Sequence, residues 1–297
     1  MKTLMHHYFF RLFKSKFYIA CVIVSALIGL LVGVIVTGIN LDGVARNGTA
    51  LLSMETPIRL IFNASSLSGG SFPYLFVLAL ASVGSLYSGD VKSGGFRSYI
   101  VSGYNRKKVY ITYFICNFLA GQITSMAFAI MCAIPCLFGR YGLIENGGVW
   151  PLVYSLALLQ LIYLSYYACY YFFVTITGTS AGGIGIFIGI VVALSIFTSI
   201  LSLSYVAILS SNKGAGMTTD DLKPLGYILL IFPSTHLSHV YSANFDNLYT
   251  GSVLLGTNDV LTGYKALNLL TIIVEHLGLT AAFFFGGLAL FKHKDMK

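Results

Sequence analysis

The sequence predicts an all-α fold, a polytopic membrane protein of six transmembrane helices. Three observations carry that reading. Of 297 residues, 57% are hydrophobic and only 9% charged, whereas a soluble domain carries about 25% charged residues. Lys2, Arg11, Lys14, Lys16 and the other cations cluster beside apolar runs rather than over one soluble face. Residues 146–212 contain no charged residue at all. So few charges cannot cover a water-facing surface, which excludes a soluble enzyme, a disordered tail and a secreted disulfide scaffold. The net charge of +8 belongs to span flanks, so nucleic acid is not expected as a partner and membrane lipid is.

The elements follow in order. Residues 1–16 read as an interfacial helix, because Leu4, Met5, Tyr8, Phe9, Leu12 and Phe13 recur at helical spacing away from most of the charges. A span needs ~20 apolar residues. Runs that meet or approach this lie at about 17–38, 72–88, 109–138, 150–177, 183–208 and 266–291. The first run is too long for a signal peptide and lacks a convincing cleavage site, so it is expected to stay attached as a span. The third should tilt or bend near Pro135. Thr177-Gly178-Thr179-Ser180-Ala181-Gly182-Gly183 marks a tight turn between two helices. Segment 209–265 holds an apolar run between Pro224 and Pro233, too short to span, and is expected to dip into the outer leaflet or cap the bundle.

Counting cations sets the expected orientation. The N-terminal segment has 4 Lys or Arg, the stretch 88–108 has 5 and the tail has 3, so 12 of 18 fall on one side of a six-span layout. Both termini and the 89–108 loop are therefore expected in the cytoplasm of a plasma membrane.

Chemistry is thin. The five cysteines all lie in apolar runs, and no disulfide or metal pattern is present. No phosphate loop, HExxH or GxSxG occurs, so no catalytic residue is assigned and no cofactor is expected on this chain. Glu275 and His276 form an acid–His pair within the last span. An intramembrane carboxylate is a candidate for function by default. It can line a transport path, gate it, bind a cation or move protons; alternatively it packs, hydrogen-bonded, against a Tyr or Ser of a neighbouring helix. Tyr163, Tyr166, Tyr167, Tyr170, Tyr171, Phe172 and Phe173 crowd the fourth span; interfacial belt and packing are the main expectations. Gly29 and Gly33, and Gly185 and Gly189, are small residues four apart that let helices approach, within one chain or between two.

The informative stretch is 89–108. It reads as a short amphipathic helix near Gly95–Ser102, broken by Gly103-Tyr104-Asn105 and followed by Arg106, Lys107 and Lys108. Its pattern resembles the first cytoplasmic loop of ABC-2 type exporter permeases: an acid (Asp90, where that family usually has Glu), Gly94, Arg97, Tyr99, then Gly103 and Arg106 entering the third span. The resemblance implies that 89–108 is a coupling loop whose helix docks on a separate cytoplasmic ABC ATPase subunit carrying ATP and Mg. It also implies a second permease, as homodimer or heterodimer, meeting this one through the first and fifth spans. Small six-span members of that family resemble bacterial exporters of antimicrobial peptides or drugs, so a hydrophobic or amphipathic cargo and a bacterial source are expected. The alternatives are a lipid-linked glycan exporter and a proton-coupled secondary transporter using Glu275.

Overall fold

The computed structural model describes residues 2–47, 80, 84, 87, 89–90, 94–137, 149–211 and 269–293. The expected second span at 72–88, apart from Leu80, Gly84 and Tyr87, and the capping segment, from 212 onward, lie outside the described residues. Seven helices occur among those described: α1 (Lys2–Lys14), α2 (Lys16–Asn47), α3 (Gly95–Val101), α4 (Arg106–Leu137), α5 (Val149–Thr177), α6 (Ser180–Ser211) and α7 (Leu269–His293). No strand occurs among the described residues. Three stretches are long and apolar enough to cross a membrane: Lys16–Val34 with 19 residues, Arg106–Cys132 with 27 and Ile272–His293 with 22. Helices α5 and α6, of 29 and 32 residues, carry no charged side chain.

The helix starts match the expected apolar runs to within three residues, and so do the ends of α4, α5, α6 and α7; α2 alone continues well beyond its run. Helix α2 runs to Asn47, nine residues beyond the expected limit at 38. At about 1.5 Å per residue its 32 residues reach about 48 Å, more than the ~30 Å of a hydrocarbon core. Hydropathy marks where side chains stop being apolar; it does not mark where backbone hydrogen bonding stops. Residues 39–47 contain no proline to stop it. Pro135 falls in the last turn of α4, where the backbone bond it forgoes is near the helix end anyway.

The principal seam joins α2 to α4. Tyr18 donates its hydroxyl to the carbonyl of Ala120 at 3.0 Å, and Ser25 donates to the carbonyl of Thr124 at 3.0 Å. One and two turns further along, Gly29 and Gly33 lie against the carbonyls of Phe128 and Cys132. Residues 120, 124, 128 and 132 form one stripe of α4, and α2 offers it either a hydroxyl or no side chain at all. A carbonyl oxygen has two lone pairs, so each can accept a second bond beyond its helical one. These two glycines therefore serve packing within this chain.

The pairings also give helix directions. Position 18 meets 120 and 33 meets 132, so α2 and α4 run parallel. Phe118 meets Tyr163 while Tyr110 meets Tyr171, so α4 and α5 are antiparallel. Val174 lies against Gly183, and Tyr166 against Phe187, so α6 runs antiparallel to α5. Ser165 meets His276 and Phe172 meets Phe283, so α7 runs parallel to α5.

Tyr163, Tyr166, Tyr167, Tyr170 and Tyr171 of α5 are core residues rather than an interfacial belt. Tyr163, Tyr167, Tyr170 and Tyr171 are each about 1% exposed or less. Their rings pack against α4 and α6, and two hydroxyls reach backbone carbonyls of α4. Tyr167 donates to the carbonyl of Phe114 at 2.8 Å, and Tyr171 to that of Tyr110 at 3.4 Å. A buried aromatic ring with a satisfied hydroxyl combines large packing area with a directional tie.

Replacing Gly29 by alanine should test the seam, because the added Cβ would overlap the Phe128 carbonyl. Overpacking of this kind costs about 1–3 kcal/mol. Gly185→Ala, where no atom lies within 4 Å of the new Cβ, should leave stability unchanged or raise it slightly. Thermal unfolding of the two purified variants beside the parent in one detergent checks the contrast.

Candidate functional site

Residues 94–108, held at Asp90, form a rooted, outward-facing element. Its helix, α3, lies between two glycines in left-handed backbone geometry, Gly94 at φ 70° and Gly103 at φ 88°. A side chain at either position would strain the backbone by roughly 1–2 kcal/mol. The amide of Gly103 bonds back to the carbonyl of Ile100 at 3.0 Å, and that of Tyr104 to Tyr99 at 3.1 Å, closing the helix abruptly. The Asn105 side chain then accepts from the Lys107 amide at 3.0 Å, beginning α4.

On its inner side α3 is held by Phe96, which is 2% exposed. Its ring centre lies 4.6 Å from Tyr113, 5.2 Å from Tyr87 and 5.6 Å from Phe291. Its outer side carries Arg97 and Ser98, both exposed, and Val101, which is 80% exposed. Tyr99 packs partly against the core and its hydroxyl pairs with His7 Nδ1 at 2.9 Å. Arg106 donates to the backbone carbonyl of Lys292 at 2.8 Å. That carbonyl belongs to the last turn of α7, where a cation also meets the negative end of the helix dipole.

Asp90 anchors the element. Its side chain is 2% exposed, and Arg11 reaches it from α1 with Nη2 at 2.6 Å from Oδ1 and Nη1 at 3.1 Å from Oδ2. Tyr113 of α4 donates its hydroxyl to the same carboxylate. Gly95 lies against the carboxylate, so that a Cβ there would sit 3.1 Å from Oδ1. The bonds to Asp90 raise the Arg11 pKa above its ordinary value, with burial opposing them. One turn away Tyr8 donates to the side-chain carbonyl of Asn117, and burial pushes its phenol up. Leu4, Tyr8 and Leu12 form the buried stripe of α1, while Phe10 and Phe13 are 53% and 52% exposed. The apolar face expected of this helix is thus divided between protein and surroundings.

Of the residues the sequence singled out, Arg97 and Tyr99 lie on α3, Gly94 and Gly103 flank it, Asp90 lies against Gly95, and Arg106 begins α4. The sequence did not single out Arg11, Tyr113 or Phe96. A signal for Arg11 was present: a carboxylate at the end of an apolar run requires a cation, and Arg11 is one of the few charges on the expected N-terminal helix.

Glu275 and His276 lie elsewhere, on α7. His276 is fully buried and its Nδ1 lies 2.7 Å from Ser165 Oγ of α5. The serine hydroxyl donates to the carbonyl of Ile162 at 2.8 Å, so its lone pair faces the ring. That network assigns the proton to Nδ1 of His276. Glu275 is half-buried on the same helix. Gly185 and Gly189 are exposed on α6 and lie within 4 Å of nothing among the described residues, unlike the Gly29 and Gly33 pair.

The described part of the chain is all-helical and includes three helices able to cross a membrane by length and composition. Compared with known proteins, it matches no family model, no curated protein and no solved structure.

Removing Arg11 should expose the cost of the Asp90 anchor. Stripping a cation from a buried pair costs about 3–5 kcal/mol, and the 37% exposure of Arg11 places this pair at or below the lower end. Arg11→Met and Asp90→Asn should each destabilise, and the double variant should lose less than their sum. Chemical unfolding of all four proteins in one detergent gives that coupling.

Proposed function

We propose that this chain is the membrane permease subunit of an ATP-driven exporter, powered by a separate ATPase that docks on α3. The observation that carries the reading is the construction of α3. A seven-residue helix with rigid glycine boundaries presents Arg97 and Val101 outward, one turn apart. Inward, it is tied by Phe96 and Asp90 to α1, α4 and α7. A partner that displaces this helix moves three helices together, which suits transmission of a cleft closure. A chain without a phosphate loop needs that partner to bind the nucleotide and its magnesium.

The helix directions support six alternating spans. Helices α4, α5, α6 and α7 alternate. The parallel run of α2 and α4 requires the chain between them to return across the membrane. Gly84 and Tyr87, which pack against Tyr170 and Thr175 of α5, suit such a return. An even number of crossings leaves α1, α3 and the C-terminal tail on one side, the side that the cation count assigns to the cytoplasm. The exposed face of α6 around Gly185 and Gly189 fits a second permease, as the resemblance implies. Cargo of hydrophobic or amphipathic character, such as a peptide or drug, is what the resemblance implies.

Affinity purification of the tagged chain from native membranes should co-purify a nucleotide-binding subunit with ATPase activity. Arg97→Glu should abolish that association while leaving the melting temperature of the isolated chain unchanged, because Arg97 points outward. Absence of any ATPase partner from both mild detergent and nanodiscs would overturn the proposal.

A further inference from the structure

Helices α6 and α7 both pack on α5 but make little contact with each other. The gap between them is a partly open cavity of about 180 Å³, lined by Ser165, Tyr166 and Cys169 of α5, by Phe187 and its neighbours on α6, and by Leu279 and Phe283 of α7. Its walls are almost wholly apolar. Apolar cavities of about 150 Å³ bind benzene, so this one has room for a phenyl ring or a short alkyl group. The cavity lies along the middle of α5, where its wall includes the Ser165 that His276 holds.

Leu279 and Phe283 are one turn apart on α7. One further turn back along that stripe is Glu275, since residues four apart share a helix face. An apolar chamber therefore has a carboxylate at one end, within a helix long and apolar enough to span a membrane. The His276–Ser165 bond fixes the register of α7 on α5, and so places Glu275 beside the chamber.

We infer that this chamber and Glu275 together form a binding site for lipophilic cations, the apolar group entering between α6 and α7 and the ammonium resting on the carboxylate. Neither part would select such a ligand alone. The cavity takes any apolar group of the right size, and a carboxylate in water takes any cation. In hydrocarbon a charge is costly to hold, so a cation that brings its own apolar group finds both an apolar wall and a counter-ion here. This names the cargo class of the permease proposed above and rests on that reading for the word cargo. The binding itself requires no ATPase.

The test uses the full-length chain in nanodiscs of zwitterionic lipid, without any ATPase, with empty discs as background. Radiolabelled 4-phenylbutylammonium and the neutral 4-phenylbutanol are measured by equilibrium dialysis. The ammonium should bind more tightly than the alcohol. Glu275→Gln should weaken the ammonium about tenfold or more, the scale of a lost bond to a charged group, and leave the alcohol unchanged. Leu194→Phe, which fills the chamber from α6, should weaken both; Ile190→Phe serves the same purpose if that variant does not fold. Equal binding of the two probes, unchanged by Glu275→Gln, would overturn the inference and make the chamber a pocket for neutral hydrocarbon such as a lipid tail. Failure of ammonium binding while an ATPase co-purifies would sink this site and leave the permease; binding without an ATPase partner would do the reverse.

Discussion

A carboxylate buried beside a tyrosine has to be matched by a cation, and Asp90 sets that requirement for one end of the molecule. Arg11 meets it in two bonds, which fixes α1 against the bundle, and Tyr113 adds a third from α4. With the carboxylate held, Gly95 can lie close to it, and Phe96 enters the aromatic cluster beside Tyr113. Breaking a buried pair by removing one partner leaves a charge with no water around it. The position of α3 therefore depends on a residue about eighty positions away in sequence.

Farther along the bundle the organising contacts are different in kind. Water is absent from a hydrocarbon core, so apolar side chains gain nothing by choosing each other over lipid. Helices there associate through close approach and through hydroxyls that find carbonyls. The α2–α4 seam uses both, with Tyr18 and Ser25 as donors and Gly29 and Gly33 as bare backbone. The α4–α5 contact replaces small residues with large ones: interleaved tyrosine and phenylalanine rings, tied by Tyr167 and Tyr171. The two solutions coexist on opposite sides of α4, which is why that helix is central.

Much of this was legible in the sequence. Apolar run length located the starts of α2, α4, α5, α6 and α7. The glycine pattern located α3 to within a residue, because glycine adopts the left-handed geometry at positions 94 and 103 without strain. What the sequence left open was decided by three-dimensional pairing. Gly29 and Gly33 have the same spacing as Gly185 and Gly189, yet the first pair meets a carbonyl stripe and the second meets nothing among the described residues. No local pattern distinguishes them. Tyrosine content likewise does not reveal whether the rings face a headgroup layer or a neighbouring helix; carbonyl oxygens on α4 settle that for Tyr167 and Tyr171. Helix α2 continues past its apolar run because hydropathy measures solvent preference, whereas a helix continues as long as its backbone bonds do.

The parallel pairing of α2 with α4 has a consequence for how the chain is made. Tyr18 and its acceptor Ala120 are 102 positions apart. At about 5–20 residues per second, a ribosome needs roughly 5–20 s to synthesise the interval. During that time α2 is already emerging while the carbonyl stripe that receives its Ser25 hydroxyl and its two bare glycines does not yet exist. The first helix must wait in the bilayer, or beside the insertion machinery, as an incomplete half of its eventual contact. Any factor that shelters nascent membrane helices would meet this protein on its glycine face.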